Sequence, residues 1–370
     1  MRIIQIIDSL EAGGAERMAV NYANGLTQKI EFSGLVATRK EGVLQNQINE
    51  KVSYLFLNKK KKIDFSAVFR LRKYIQKSGV TIIHAHSSSF FIAILVKLTL
   101  PQIKIIWHDH YGISQDLSSR KNVVLKLASL LFNGSIAVNS SLKNWAESYL
   151  LNFNVVYFPN FISTTHDDTE KIQLKGYDGK RIICVANLRP QKNHKLLLEA
   201  AITINKQYPD WTFHLFGKDF EDTYSAEIKN IIKDSKLEET VFLYGSTNNI
   251  VSALQQCNIA VLTSLSEGLP LAILEYGQHK LPVIATKVGE IDKIITSEKE
   301  GLIVESNNVN EFINALKKLI PNENYRDGIA LTLNKKVLFE YSEKNIIDHY
   351  VTWLNSLSNF TKKDSLQNEK

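Results

Sequence analysis

Apolar runs of strand length, each followed by a turn and a helix-length stretch, recur along the chain, and this alternation restricts the fold more than any other feature. Residues 3–7, 34–38, 53–57, 80–83 and 103–107 are runs of this kind in the first half. Several are apolar without a break, which suits strands covered on both faces, as in a parallel sheet. Parallel neighbours need long crossovers, and the intervening stretches are long enough to supply helices. After a polar stretch, 163–178, the pattern restarts at 180–186 and continues through 211–217, 241–245, 259–264 and 281–285. The expectation is α/β: two parallel-sheet domains at 1–165 and 175–340, a helix at 341–358 and a disordered polar tail at 359–370. A length of 370 residues fits two domains of ordinary size.

One stretch concentrates the chemistry. The run 259–264 reads as a buried strand, and Glu267-Gly268-Leu269-Pro270-Leu271 leads from it into a helix. Pro270 suits the first helical position, where its missing N–H removes nothing. Glu275 then lies five residues inside, about 7.5 Å along the axis. A helix start favours phosphate, and a carboxylate on either side is a good acceptor for paired hydroxyls. A diphosphate flanked by two sugars, that is a nucleotide sugar, would satisfy all three groups. The competing reading is an ordinary strand, turn and helix with two solvated acids.

Three further segments bear on the same ligand. Gly13-Gly14 follows the first strand and opens a helix, so the backbone there can approach a phosphate. The spacing is not that of a nicotinamide or flavin loop. Asn187-Leu-Arg189-Pro-Gln-Lys192 forms a cationic turn after the strand at 180–186. His84 and His86 end one strand, and His108 and His110 end the next, where open α/β sheets bind ligands. Alternate spacing puts each pair on one face, which raises a metal site. No acidic or cysteine ligand set accompanies them, so the expectation is no metal.

Composition narrows the setting. Residues 1–165 carry 20 Lys+Arg and 10 Asp+Glu, a net of +10; the remaining 25 and 28 give −3, and the two sum to the overall +7. The basic half contains Lys59–Lys62 and a helix near 65–77 that combines Phe65, Val68, Phe69, Leu71 and Ile75 with Arg70, Arg72 and Lys73. That pattern suits an anionic membrane surface, and no nucleic-acid motif is present. The longest apolar run, 90–100, is too short to cross a bilayer and holds Lys97. Two cysteines without metal spacing, and no leader-like start, point to a cytoplasmic protein, placed on the inner face of the plasma membrane if it meets lipid.

Glu267 and Glu275 in their Glu-Gly-Leu-Pro setting resemble the paired-glutamate motif of the family 4 retaining glycosyltransferases, and the likeness spans nearly the whole chain. The resemblance implies the GT-B fold, two Rossmann-like domains facing a cleft, with the last helix crossing back onto the first domain. It implies transfer of a hexosyl or N-acetylhexosaminyl group from a UDP-sugar to a lipid-linked saccharide in surface polysaccharide biosynthesis. No cofactor, metal or protein nucleophile is implied. Glu275 would hold the ribose and Glu267 the transferred sugar. Lys192 would meet the diphosphate with the N–H groups between Gly268 and Leu271, and Gly13-Gly14 would face it. Asn187 stands where the family has an arginine, so Arg189 is the candidate for that role. The backbone of Gly245, Ser246 and Thr247 would hold the base. His108 is the candidate for contact near the reaction centre, with His84 and His110 as runners-up and His86 in a secondary or acceptor site. A sugar-nucleotide epimerase of the same architecture, or a silent donor-binding partner, is the alternative.

Overall fold

The computed structural model describes residues 1–367 except 113–116, 118–119, 121, 164–171 and 248; of 358–367 it describes the backbone alone. The chain forms two compact units, Met1–Ser163 with Ser342–Lys370, and Thr164–Tyr341. Part of the polar stretch expected to link the domains, 164–171, lies outside the described residues.

The first unit runs β1 (Arg2–Ser9), α1 (Gly14–Leu26), β2 (Phe32–Lys40), β3 (Ser53–Phe56), α2 (Phe65–Ser78), β4 (Ile82–His86), α3 (Phe90–Thr99), β5 (Lys104–Asp109), α4 (Val123–Ala128), β6 (Gly134–Ala137), α5 (Ser140–Tyr149) and β7 (Val155–Tyr157). The second runs β8 (Arg181–Val185), α6 (His194–Gln207), β9 (Thr212–Phe216), α7 (Thr223–Asp234), β10 (Val241–Gly245), α8 (Ile250–Leu254), β11 (Ile259–Leu262), α9 (Leu271–Gln278), β12 (Val283–Thr286), α10 (Ile291–Ile294), β13 (Leu302–Val304), α11 (Val309–Leu319) and α12 (Glu323–Glu340). Helix α13 (Glu343–Gln367) belongs to the first unit.

The sheets are ordered β3-β2-β1-β4-β5-β6-β7 and β10-β9-β8-β11-β12-β13. Every pairing is parallel. Both are doubly wound α/β sheets of the expected class. Their strand order reverses between β1 and β4 and between β8 and β11, and ligands of such sheets bind outside the carboxyl ends at that point. The apolar residues of the strands fill the core, with Ile3, Ile4, Ile6, Ile182, Ile183 and Ile259 to Leu262 all buried. Each of the isoleucine, valine and leucine side chains among them contributes about 1.5–3 kcal/mol through burial.

Helix ends are set locally. The side chains of Asp64, Asn139, Asp222 and Asn308 accept from the backbone at the starts of α2, α5, α7 and α11, satisfying donors that have no intrahelical partner.

Helix α12 is not evident in the sequence pattern, because two polar side chains sit in its buried stripe. Arg326 and Asn334 lie among Ile329, Ala330, Leu333 and Val337. Arg326 donates to the carbonyls of Leu319 and Ile320 at 2.9 and 2.7 Å, and Asn334 to those of Gly277 and Gln278 at 2.8 and 2.9 Å. Asn334 thereby closes the C-terminal end of α9. The last helix is longer than its expected end at 358, with helical backbone to Gln367; 368–370 lie outside the described residues. Its entry is fixed within the first unit by an Ile162–Ser342 bridge and by Ser163 Oγ donating to Glu343 at 2.9 Å. Lys29 pairs with Asp348 at 2.6 Å, joining α1 to α13.

Gly217, just after β9, has φ +156°, and a Cβ there would stand 2.1 Å from the Ala186 carbonyl oxygen. Gly217→Ala should cost about 2–3 kcal/mol from backbone strain alone. Urea denaturation followed by a probe in the second unit should show an earlier midpoint; an unchanged midpoint would contradict the close approach.

Candidate active site

At the switch point of the second sheet, loops after β8 and β11 are stitched together by their backbones. The Leu265 N–H donates to the Gln191 carbonyl at 2.7 Å, and Thr263 Oγ1 donates to the Lys192 carbonyl at 3.0 Å. Lys192 ends a short 3-10 turn, Pro190–Lys192, and Asn193 beyond it turns the chain with φ +49°. The clamp leaves Lys192 Nζ 2.5 Å from Glu267 Oε1, which also accepts from Ser264 Oγ at 2.5 Å. Glu267 is only 7% exposed, so the lysine offsets a carboxylate that burial would otherwise disfavour. Ser264, absent from the expected site, is detectable in sequence only as a hydroxyl three residues before Glu267.

Glu275 lies five residues into α9 and is partly buried, as the spacing predicts. Pro270 is one position earlier than expected: its ψ of 121° is extended, which makes it the N-cap, and the helix begins at Leu271. Leu269 is buried, Leu271 half-buried. The Gly268 carbonyl accepts from the Glu290 N–H at 2.9 Å. Gly289, at φ +60°, makes that approach possible, since a Cβ would meet the Glu267 and Gly268 carbonyl oxygens at 2.5 Å.

Asn187 and Arg189 are engaged elsewhere. The Asn187 side chain accepts from the Lys218 N–H at 2.7 Å and so braces the loop after β9. Arg189 is exposed, with its guanidinium 4.5 Å above the Phe220 ring. The structure therefore joins Lys192, not Arg189, to Glu267. At the ends of β8, β9 and β10 a cavity of about 320 Å³ is lined by residues including Ala186, Leu188, Phe216, Gly217, Tyr244 and Gly245. Ser246 beside it is exposed, and Thr247 Oγ1 accepts from the Asn249 N–H at 3.1 Å.

In the first unit, Gly13 is the N-cap of α1 and Gly14 its first residue. The Glu16 carboxylate folds back on this turn, 2.2 Å from where a Gly13 Cβ would lie. Beside β1, the four histidines form one tier. His84 Nε2 and His108 Nδ1 are 3.1 Å apart, and His86 Nδ1 and His110 Nε2 2.9 Å. Gln5 Oε1 accepts from His86 at 2.9 Å, and the Tyr350 hydroxyl is 3.0 Å from His84 Nδ1. Tyr22 of α1 covers the tier, its ring 5.0 Å from His84 and 5.6 Å from His108. Gln5, Tyr22 and Tyr350 carry no motif; only the fold shows their part.

This packing reverses the order of the histidine candidates. His84, His86 and His108 are at most 1% exposed, whereas His110, just beyond the end of β5, is half-buried. His108, the candidate for contact near the reaction centre, is therefore covered, and of the four rings only that of His110 is open to solvent. His84, His86 and His108 do bring nitrogens within 4.8 Å of one another, as a metal trio would. The nitrogens are largely committed to one another, to Gln5 and to Tyr350. Burial holds the imidazoles of His84, His86 and His108 well below the usual range, and that of His110 falls to about 3. Next to His110, Asp109 is clamped by Arg120 at 2.5 and 2.9 Å, and the guanidinium lies 4.2 Å from both Tyr111 and Trp145.

Comparison with known proteins places the chain. Residues 165–330 match the model of glycosyl transferases group 1, and residues 12–166 that of glycosyltransferase family 4. The chain belongs to this family of GT-B glycosyltransferases, and it is an enzyme of that kind. An uncharacterized glycosyltransferase of Haemophilus influenzae is 26% identical over 84% of this chain and 88% of its own length. The Escherichia coli UDP-Gal:alpha-D-GlcNAc-diphosphoundecaprenol alpha-1,3-galactosyltransferase is 27% identical over 69% of this chain and 70% of its own. Among solved structures, Anabaena HepE with UDP-glucose superposes with a TM-score of 0.78 over 96% of this chain and all of that one, at 16% identity. Relatives of this chain are named for capsule and O-antigen biosynthesis.

The tier dictates how the first unit responds to acid. Each depressed histidine contributes stability above its unfolded value, about 6.5, and loses it as pH falls toward the folded value. Below 6.5 the unfolded chain takes up protons that the tier refuses, about 1.4 kcal/mol per pH unit for each histidine. The denaturation midpoint of the first unit should therefore fall between pH 7 and 5.5, and a flat profile would mean the tier is charged when folded.

Proposed function

We propose that this glycosyltransferase moves a hexosyl or N-acetylhexosaminyl group from a UDP-sugar to a hydroxyl of a lipid-linked glycan, in surface polysaccharide biosynthesis, with retention at the anomeric carbon. The reading rests on one arrangement: Lys192 held on Glu267 at the entry to α9, with Glu275 further along that helix. Lys192 and the N–H groups of Gly268, Leu269 and Leu271 offer positive charge to a leaving diphosphate. Glu267 and Glu275 offer acceptors for sugar and ribose hydroxyls. The cavity bounded by Ala186, Phe216 and Gly245 is of a size for the base. Fixed cations and N–H dipoles can do the work of a metal, and no metal is assigned.

The named acceptor of the E. coli relative, a diphosphoundecaprenol carrying GlcNAc, supports a lipid-linked acceptor here. A membrane surface is consistent with the outer face of the first unit. Val68, Leu71 and Ile75 turn into the core, so the stripe along α2 divides; Phe65 and Phe69 are 70% and 61% exposed. Lys59 is buried, whereas Lys60, Lys61 and Lys62 are exposed, as are Arg70 and Lys73 on α2. Helix α3 packs against α2 and α4, and α4 exposes Val123, Val124 and Leu127. Among the described residues no helix is long and apolar enough to cross a membrane.

Calorimetric titration with UDP tests the donor site. Lys192→Ala and Glu275→Ala should each weaken binding at least tenfold, the loss expected when one partner of a charge-assisted contact is removed. Parent-like affinity in both would refute the assignment. Turnover should persist after chelation; loss restored by added metal would contradict the metal-free reading. Changing Lys60, Lys61 and Lys62 to Ser should lower partitioning onto phosphatidylglycerol vesicles by about 100-fold, from roughly 1 kcal/mol per lysine, and unchanged co-sedimentation would remove the membrane surface from the account.

A further inference from the structure

We propose that Gln5, acting through His86, sets the tautomer of His110, so that His110 presents a bare Nδ1 lone pair to a hydroxyl-bearing ligand. The inference rests on the preceding reading only in taking that ligand as the transferred sugar. Gln5 on β1 is fully buried, and its Oε1 lies 2.9 Å from His86 Nε2. In this orientation of the Gln5 amide, whose nitrogen has no partner among the described residues, it is the oxygen that faces His86; an amide oxygen has no hydrogen to give, so His86 Nε2 carries the proton. In a neutral ring Nδ1 is then bare, and it must accept. Its partner at 2.9 Å is His110 Nε2, which therefore carries a hydrogen in turn. The Nδ1 atom of His110 is left without one, and it has no partner among the described residues. A single buried amide thus fixes two successive rings, since which nitrogen of an imidazole is protonated follows from the bond made by the other.

The neighbouring row lacks this direction. Tyr350 can donate to His84 or accept from it, so the tautomers of His84 and His108 are not imposed from that end. That row stops at His108 Nε2, which is buried and has no partner among the described residues. Of the two rows, only the one beginning at Gln5 reaches a half-buried ring. Burial of the tier keeps the rings neutral, as the argument requires.

Gln5 is accordingly a positioning residue, and its role has a spectroscopic signature. In the full chain labelled with 15N-histidine, with His86 and His110 assigned by loss of signal in His86→Phe and His110→Asn, two-bond 1H–15N correlations at pH 7.5 should show both rings as Nε2–H tautomers. Gln5→Leu should convert a large fraction of His110 to the Nδ1–H form and lower kcat/KM about tenfold, the loss typical of removing a group that orients a ligand. Gln5→Met, close in shape but without the amide, should shift the tautomer as Gln5→Leu does, an outcome that a merely space-filling residue would not produce. Nδ1–H tautomers in the parent, or no tautomer change in a folded Gln5→Leu, would overturn the proposal. A tautomer change with unaltered kcat/KM would uphold the relay and refute instead the contact of His110 with the sugar.

Discussion

A nearly buried carboxylate beside a lysine, Glu267 with Lys192, is the contact around which the second unit's site is built. Removing an isolated charge from water costs several kcal/mol, so Glu267 needs both the ammonium and the Ser264 hydroxyl. Those partners are present because the loops after β8 and β11 are tied backbone to backbone, and the loops meet because the strand order reverses there. Donor binding would then be an exchange of partners. Under the proposed function, a diphosphate arriving at α9 would share Lys192, and Glu267 would turn to hydroxyl donors on the sugar. Binding and orientation of the leaving group would be coupled through one ammonium group.

The first unit solves a different problem. Four imidazoles lie along the carboxyl ends of β4 and β5; Tyr22 covers His84, His86 and His108, and Tyr350 of α13 meets His84. Desolvation keeps them neutral, and hydrogen bonds among them replace those lost to water. The cover explains why α13 belongs to this unit: Tyr350 and the Lys29–Asp348 pair tie it to the strands and to α1. Charge belongs to the outer surface, where Lys60–Lys62 sit near exposed aromatic rings, and neutrality to the tier.

Much of the fold is legible in the residues because its central strands are short, largely apolar runs, and several strands, such as β4, β5 and β10, end in histidine, acid or glycine. The run 259–275 even shows the strand, the turn and the depth of Glu275 in the helix. What escapes is whatever depends on partners distant in sequence. Arg326 and Asn334 are polar, yet they sit in the buried stripe of α12 and donate to carbonyls of neighbouring helices. Lys59 reads as part of a basic run, yet only its neighbours are exposed. His108 and His110 are equivalent by spacing, and only the Tyr22 cover separates the sealed ring from the accessible one. Gln5 lies in an otherwise apolar strand, where nothing local announces a hydrogen bond to a residue 81 positions away.

Product stereochemistry distinguishes a retaining transferase from an inverting one and from an epimerase. The full chain would be incubated with a panel of UDP-sugars and a saccharide linked through diphosphate to a polyprenyl lipid, and the new glycosidic bond examined by proton NMR. The account predicts acceptor-dependent release of UDP and a product that keeps the anomeric configuration of the donor. An inverted linkage, or conversion of the donor sugar with no acceptor present, would contradict it.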